Sequence, residues 1–234
     1  MQLISLGISF HDTTLPQREP LAFSDAQQQR LLCAMRQCRS VHEGMVLCTC
    51  NRTEIYGYCD DGFDFRGFVG AWIEEAAPSG LAIWQSHCQQ HEDFEAVRHI
   101  FTVASGLDSQ MIGENQIIRQ YKSAYSATIE AGTTKFFFHR LMHSTFRASK
   151  AVRSSTDINC GAVSISAAAV ELAREKLNLP GASVLLVGAG ENATLMAEYL
   201  IKAGIGELTI ASRTLETATE LAAQLKTAPA LPSM

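Results

Sequence analysis

The sequence predicts an α+β domain over residues 1–157, made of a small antiparallel sheet with helices and then a helical hairpin, followed by a partial α/β domain over 158–234. Two observations carry this expectation. In the first third of the chain, strand, helix, strand, strand and helix patterns succeed one another, an order suited to a mostly antiparallel sheet packed on helices. Towards the other end, an unbroken apolar run leads into a glycine-rich turn and a helix, the order of a buried parallel strand and its crossover.

Residues 2–9 alternate Ile4, Leu6 and Ile8 with smaller or polar neighbours and read as a strand. Residues 24–38 follow as a helix with Ser24 at its cap. The stretches 44–50 (GMVLCTC), bounded by Gly44, and 54–59 (EIYGYC) read as two further strands, and 63–77 as a helix around Phe68, Trp72 and Ile73. In 92–104, Phe94, Val97, Ile100, Phe101 and Ala104 form a stripe at helical spacing that is expected to face the core. His99 falls beside this stripe, as a boundary residue or a chemical group.

The stretch 105–117 (SGLDSQMIGENQI) breaks the helix with two glycines and places Ser109, Glu114 and Gln116 in or next to a loop. Polar groups there can face a ligand or simply connect two helices. Helical patterns then run from 114 to 131 and from 134 to 156, with Phe136, Phe137, Leu141, Phe146 and Val152 as core candidates. Lys135, Arg140, Arg147, Lys150 and Arg153 collect on the second of these, as a solvated face or a phosphate-contacting one.

Between the two middle strands lies the polar turn Thr49-Cys50-Asn51-Arg52-Thr53-Glu54. A thiol at an exposed strand tip, with an arginine two residues on, has solvent access and a nearby cation that favours the thiolate. Arg52 can also grip a carboxylate through two parallel hydrogen bonds. The plainer reading is a tight turn with an incidental cysteine.

In the second domain, the apolar run Val184 to Val187 opens into Gly188-Ala189-Gly190-Glu191-Asn192-Ala193 and a helix through Leu195, Met196, Tyr199 and Leu200. This is the G-x-G-x-x-A form of the Rossmann-type dinucleotide fingerprint. Its glycines permit a tight turn and a close approach to pyrophosphate, and Ala193 lets helix and strand pack closely. The next strand, Glu207 to Ala211, ends in Ser212-Arg213-Thr214, with no acid for ribose hydroxyls and an arginine suited to a 2′-phosphate, so NADPH is expected over NADH. A βαβ unit of another doubly wound protein is the alternative. Only two strands and two helices are expected before TAPALPSM, which leaves the strand at 184–187 an exposed apolar edge.

With 47% hydrophobic residues over 234 positions, the chain can bury a real core. A formal net charge of −5 argues against coating by nucleic acid, so no DNA partner is expected and any RNA contact is local. Seven cysteines in no even, dense pattern fit a reducing, cytoplasmic setting, and the lack of paired C-x-x-C knuckles predicts no metal. The start MQLISLGISF lacks the pattern of a signal peptide, and no apolar stretch reaches membrane-spanning length.

TCNRTEIY, the SGLDSxxxGExQI segment at 105–117, AVSISAAAVELA at 162–173, and LLVGAGE followed by SRT stand in the order and spacing of the glutamyl-tRNA reductase family. The chain resembles that family over nearly its whole length. The resemblance implies NADPH-dependent reduction of glutamyl-tRNA(Glu) to glutamate 1-semialdehyde, the precursor of tetrapyrroles such as porphyrins and haem. It implies Cys50 as the nucleophile that forms a thioester, His99 as an assisting proton donor, and Arg52 as the ligand of the glutamyl carboxylate with Thr49 and Asn51 beside it. Ser109, Glu114, Gln116 and Gln120 match substrate-site positions, with Asn115 standing where the family has Pro or Thr. Gly188, Ala189, Gly190, Glu191, Asn192, Ala193, Ser212 and Arg213 are implied as the NADPH contacts, and glutamate-1-semialdehyde aminomutase as a candidate partner.

The chain departs from the family in two places. Ser9-Phe10-His11-Asp12-Thr13-Thr14 replaces an Asn-His-x-Thr-Ala-Pro type stretch, although Arg18-Glu19 restores the pattern, and Asp12 is expected to repel a substrate carboxylate unless paired. The family's dimerising C-terminal helices have no counterpart, so the chain reads as a truncated reductase. Two other readings stand beside a working reductase: a glutamyl-tRNA esterase lacking hydride transfer, and a non-catalytic paralogue that binds tRNA or a partner.

Overall fold

The computed structural model describes residues 1–159, 165–225 and 230–232. It divides into two compact units, Met1–Asn159 and Cys160–Met234. Cys160, and the first residues of the helix expected at 162–173, lie outside the described residues. No helix among the described residues is long and apolar enough to cross a membrane.

The first unit is built on one antiparallel sheet. Its strands are β1 (Gln2–Ser9), β2 (Val41–Cys48), β3 (Arg52–Cys59) and β4 (Gln89–Glu92), in the order β2-β3-β1-β4. A short helix α1 (Leu15–Arg18) with Pro16 in its first turn follows β1. Then comes α2 (Asp25–Gln37), whose N-cap Ser24 accepts from the Gln27 amide while the Gln27 side chain accepts the Ser24 N–H. Helices α3 (Phe65–Ala76) and α4 (Leu81–His87) lead into β4, and α5 (Asp93–Ala104), α6 (Gln116–Glu130) and α7 (Phe136–Ser155) complete the unit.

Both faces of the sheet are covered, which explains why β2 reads as a continuous apolar run. Because side chains alternate along a strand, Ile4, Leu6, Ile8, Val46 and Ile55 pack with Leu31 and Leu32 of α2, Phe65 and Val69 of α3 and Trp84 of α4. Leu3, Met45, Leu47 and Tyr56 face the other way, against Ile100, Tyr121, Phe138 and Met142 from α5, α6 and α7. Gly44 and Gly57 are cross-strand partners. A Cβ on Gly44 would stand 2.5 Å from Met35 Sδ, and one on Gly57 2.6 Å from the Phe65 ring, so the pair clears the space that α2 and α3 occupy.

Some side-chain expectations fail. Phe94 and Phe136 are 76% and 74% exposed, and the buried stripe of α5 is Ala96, Ile100, Val103 and Ala104. Both phenylalanines stand in the first turn of their helices. Arg153 does not join the solvated basic face of Lys135, Arg140, Arg147 and Lys150. Its guanidinium turns back to donate to the carbonyls of Gly113 at 3.3 Å and Glu114 at 2.7 Å, and to the Asn115 side chain.

The second unit contains α8 (Ile165–Lys176), β5 (Ser183–Val187), α9 (Glu191–Lys202), β6 (Glu207–Ser212), α10 (Leu215–Gln224) and β7 (Ala230–Pro232). Its strands are parallel in the order β5-β6-β7. The stretch TAPALPSM, expected beyond the last strand, thus supplies a third strand, with its proline on a sheet edge where the missing N–H is tolerated. On the other edge Leu185 and Val187 are exposed.

Candidate active site

A two-residue turn presents Cys50. The Thr49 N–H donates to Arg52 O at 2.8 Å, and Thr49 Oγ1 accepts from the amides of Asn51 at 3.2 Å and Arg52 at 3.1 Å. Cys50 is thereby held outward at the tip of the β2–β3 hairpin and is exposed. Asn51 O accepts from the Phe10 N–H at 2.9 Å, which ties the turn to the end of β1.

Thr49, Cys50, Asn51, Arg52, Ser109, Glu114, Gln116 and Gln120 line one pocket. Its volume of about 10 Å³ leaves room for about one water. Asn115, expected among these residues, is not in the lining, because its side-chain oxygen is taken by Arg153.

Arg52 does not pair with Cys50, contrary to the expectation from their spacing. Alternation along β3 sends Arg52, Glu54 and Tyr56 together to the face covered by α5 and α6. There the guanidinium is 2% exposed, with Nη1 donating to Glu54 Oε1 at 2.7 Å and Nη2 to Asp108 Oδ2 at 2.9 Å and to the Asp108 carbonyl. Glu54 also accepts from His99 Nε2 at 2.9 Å and from the Tyr56 hydroxyl, which lies 2.6 Å from the Tyr121 hydroxyl. The cross-strand partner of Glu54 is Gly7, where a Cβ would stand 2.8 Å from Glu54 Cγ.

This buried network sets the charges. Burial alone would raise the Glu54 carboxyl, but His99, Arg52 and the Tyr56 hydroxyl together hold it well below the usual carboxylate range. Burial would lower His99, yet the charge and hydrogen bond of Glu54 outweigh it, so the imidazole is raised and favours its charged form. The His91 ring stacks on His99 at 4.7 Å, and burial and the charge of His99 push it down.

The Cys50 thiol, although it reaches solvent, is pushed up, first by partial desolvation and then by Glu114; a hydrogen bond from its own backbone and the charge of Arg18 act the other way. The cation that favours the thiolate is therefore Arg18 rather than Arg52.

His99 is not in the lining of the Cys50 pocket. It opens on a neighbouring cleft of about 280 Å³ lined also by His11, Asp12, His91, Glu54 and Asp108. Arg52 lines the pocket while both of its carboxylate partners line the cleft, so the ion pairs stand between the two spaces. Asp12 is exposed on the cleft side, and the carboxylates that meet Arg52 are Glu54 and Asp108.

In the second unit Gly188, with φ +112°, ends β5, and its N–H donates to Ala211 O at 2.7 Å. Gly190 is the N-cap of α9 and offers no side chain to the first amides. A Cβ at Gly188 or Gly190 would meet no atom within 4 Å, so the space over this turn is open, while Ala193 packs on the core of the unit. Such a turn and helix N-terminus could hold a pyrophosphate. Ala189 completes the turn, and Glu191 and Asn192 are the first two residues of α9; Ser212, with Oγ 3.4 Å from Thr217 Oγ1, ends β6, and Arg213 beyond it is exposed.

Residues 6–156 match the family model "Glutamyl-tRNAGlu reductase, N-terminal domain", and residues 171–232 match "Shikimate / quinate 5-dehydrogenase". The chain is 41% identical over 223 residues to a glutamyl-tRNA reductase of Teredinibacter turnerae, with 95% of this chain and 53% of the relative covered. It is 36% identical over 225 residues to one of Geobacillus kaustophilus, covering 96% and 50%. The solved structure of glutamyl-tRNA reductase from Methanopyrus kandleri superposes with a TM-score of 0.64 at 32% identity, over 98% of this chain and 54% of that one. The chain thus spans about half the length of the curated relatives it matches. With the N-terminal family model matched over 6–156, well over half its residues, the chain belongs to the glutamyl-tRNA reductase family.

Proposed function

We infer that this chain carries the thioester-forming chemistry of an NADPH-dependent glutamyl-tRNA reductase, acting on glutamyl-tRNA(Glu) to give glutamate 1-semialdehyde for tetrapyrrole synthesis. One observation carries the reading. The pocket gathers Cys50 and Arg52 from a strand turn with Ser109, Glu114, Gln116 and Gln120 from a segment far from it in sequence, a convergence that packing alone does not require.

The Cys50 sulfur attacks the ester carbonyl carbon, the bond to the ribose oxygen breaks, and that oxygen takes a proton from His99. Glu54 keeps His99 charged for this donation. Arg52 receives the glutamyl side-chain carboxylate, with Ser109, Gln116 and Gln120 offering hydrogen bonds around it. The stretch Gly188-Ala189-Gly190-Glu191-Asn192-Ala193 would hold the pyrophosphate of NADPH, and Ser212 and Arg213 its 2′-phosphate. NADPH, when bound, would supply the hydride that converts a thioester to an aldehyde, for which the Cys50 thiolate is the leaving group.

A single-turnover reaction of the chain with labelled glutamyl-tRNA, with and without NADPH, tests this against Cys50→Ser. The expected result is semialdehyde formed only with NADPH and lost in the variant. Deacylation that ignores NADPH but needs Cys50 would make the chain an esterase, and no Cys50-dependent turnover would refute the reading.

A further inference from the structure

The geometry points to Asp108 as a resident stand-in for the substrate carboxylate, a specificity-determining residue that the glutamyl side chain must displace from Arg52 before the Cys50 pocket can open. The inference rests on the proposed reading of Arg52 as the carboxylate clamp.

Three observations carry it. Arg52 is 2% exposed, and its two terminal nitrogens are already committed, Nη1 to Glu54 and Nη2 to Asp108. A carboxylate gripped in parallel by both terminal nitrogens therefore takes the place of one of them. Glu54 is 2% exposed and anchored by His99 and Tyr56 as well, whereas Asp108 is 29% exposed and faces the cleft, so Asp108 is the one that leaves.

Asp108 also has somewhere to go. Its other oxygen, Oδ1, is 3.0 Å from His11 Nε2, a contact at the cleft surface that survives when Oδ2 lets go of Arg52. The exchange swaps one carboxylate for another, so the buried guanidinium stays paired throughout and the substitution avoids the penalty of an unpaired buried charge. A neutral side chain offers no such replacement, which makes the exchange selective for a carboxylate over its amide.

The loop that carries Asp108 is bounded by two glycines, and its backbone meets Arg52 as well through the Asp108 carbonyl, so the exchange moves the Asp108 side chain. Gly106 (φ +77°) and Gly113 (φ +85°) stand at its two ends, and the Gly113 N–H donates to Gly106 O at 2.9 Å, closing the neck. A Cβ on Gly113 would stand 2.0 Å from Ile158 O, so this end is seated against the rest of the unit while residues 107–112 span between the glycines. With Asp108 in place the pocket holds about one water. Its departure removes one of the two carboxylate contacts to Arg52 that stand between the pocket and the cleft on which His99 opens.

Calorimetric titration of the full chain and of Asp108→Asn tests the exchange with two probes: the glutamyl amide of 3′-amino-3′-deoxyadenosine, a stable mimic of the acylated tRNA end, and its glutaminyl counterpart. The expected result is binding of the glutamyl probe about tenfold tighter to Asp108→Asn, about 1.4 kcal/mol, with the glutaminyl probe unchanged. Equal or weaker binding of the glutamyl probe by a folded Asp108→Asn that still prefers glutamyl to glutaminyl overturns the exchange alone. If neither protein distinguishes the two probes, the clamp reading of Arg52 fails and the exchange falls with it. Should Asp108→Asn lose its native circular dichroism, His11→Gln decides, because removing the second home of Asp108 is expected to weaken the glutamyl probe and spare the glutaminyl one; no change overturns the proposal.

Discussion

Replacing Glu54 by Gln keeps the shape of the side chain and removes its charge from the centre of the buried network. Arg52 is then left 2% exposed with Asp108 as its remaining carboxylate, and His99 and Tyr56 lose an anionic acceptor. Breaking a buried pair by removing one partner costs about 3–5 kcal/mol; because Asp108 still compensates Arg52, about 3 kcal/mol is expected here. Both tryptophans, Trp72 and Trp84, lie in the Met1–Asn159 unit, so urea unfolding followed by their fluorescence reads this unit. With a slope of about 2 kcal/mol/M, the midpoint falls by about 1.5 M.

The loss also depends on pH with a defined sign. His99 is raised by Glu54, so its share of the stability is full below about pH 6.5 and fades as pH rises through its folded value. Glu54 is depressed, so its share is present above about pH 4.3 and fades only as pH falls through its folded value. The gap between wild type and Glu54→Gln is therefore larger at pH 6 than at pH 9. A gap below about 1 kcal/mol at pH 6, or one that does not shrink by pH 9, would refute the account of the network.

Glu43 is buried on β2 and accepts from the amides of Lys135 at 2.7 Å, Phe137 at 2.9 Å and Phe138 at 2.9 Å, closing the start of α7. Glu43→Gln loses charge-assisted bonds and the favourable helix dipole, and is expected to lower stability by about 3 kcal/mol in the same urea assay, with faster hydrogen exchange in the first turn of α7. Arg18→Gln removes the charge that opposes the rise of the Cys50 thiol, so iodoacetamide labelling of Cys50 at pH 8 slows and its pH profile moves upward, while Arg18→Lys retains the wild-type rate. Cys59 and Cys88, pushed up to about 12 and about 11, chiefly by burial, stay unlabelled under the same conditions in mass spectra.

Periodicity made most of the fold legible, and its failures have physical causes. The alternation in β1 and the Ser24 cap of α2 are strong local signals, and both elements form where expected. Residues 78–91, which form α4 and most of β4, carry no such signal. β4 is a four-residue polar edge strand held by backbone pairing to β1 from Ile4↔Glu92 to Gly7↔Gln89, which leaves no side-chain pattern to detect. The stripe of α5 misplaces Phe94, which stands in the first turn and is exposed despite its helical spacing.

The pocket around Cys50 was legible because all its predicted members but Gln120 sit in two short motifs. The partners of Arg52 were not: proximity in sequence suggested Cys50, whereas the strand period of two selects Glu54 and then Tyr56. That period was available in the sequence. Asp108 and Arg18 were not readable in these roles, since only the packing of a loop and a helix against the hairpin brings them there.

The carboxylate that starts α7 comes from 92 to 95 positions earlier in the chain. A helix whose first amides are satisfied locally can nucleate on its own timescale, but this one is completed only once β2 holds Glu43 in place. The start of the 20-residue helix is therefore a long-range contact, and its persistence is expected to follow that of the sheet rather than local propensity alone.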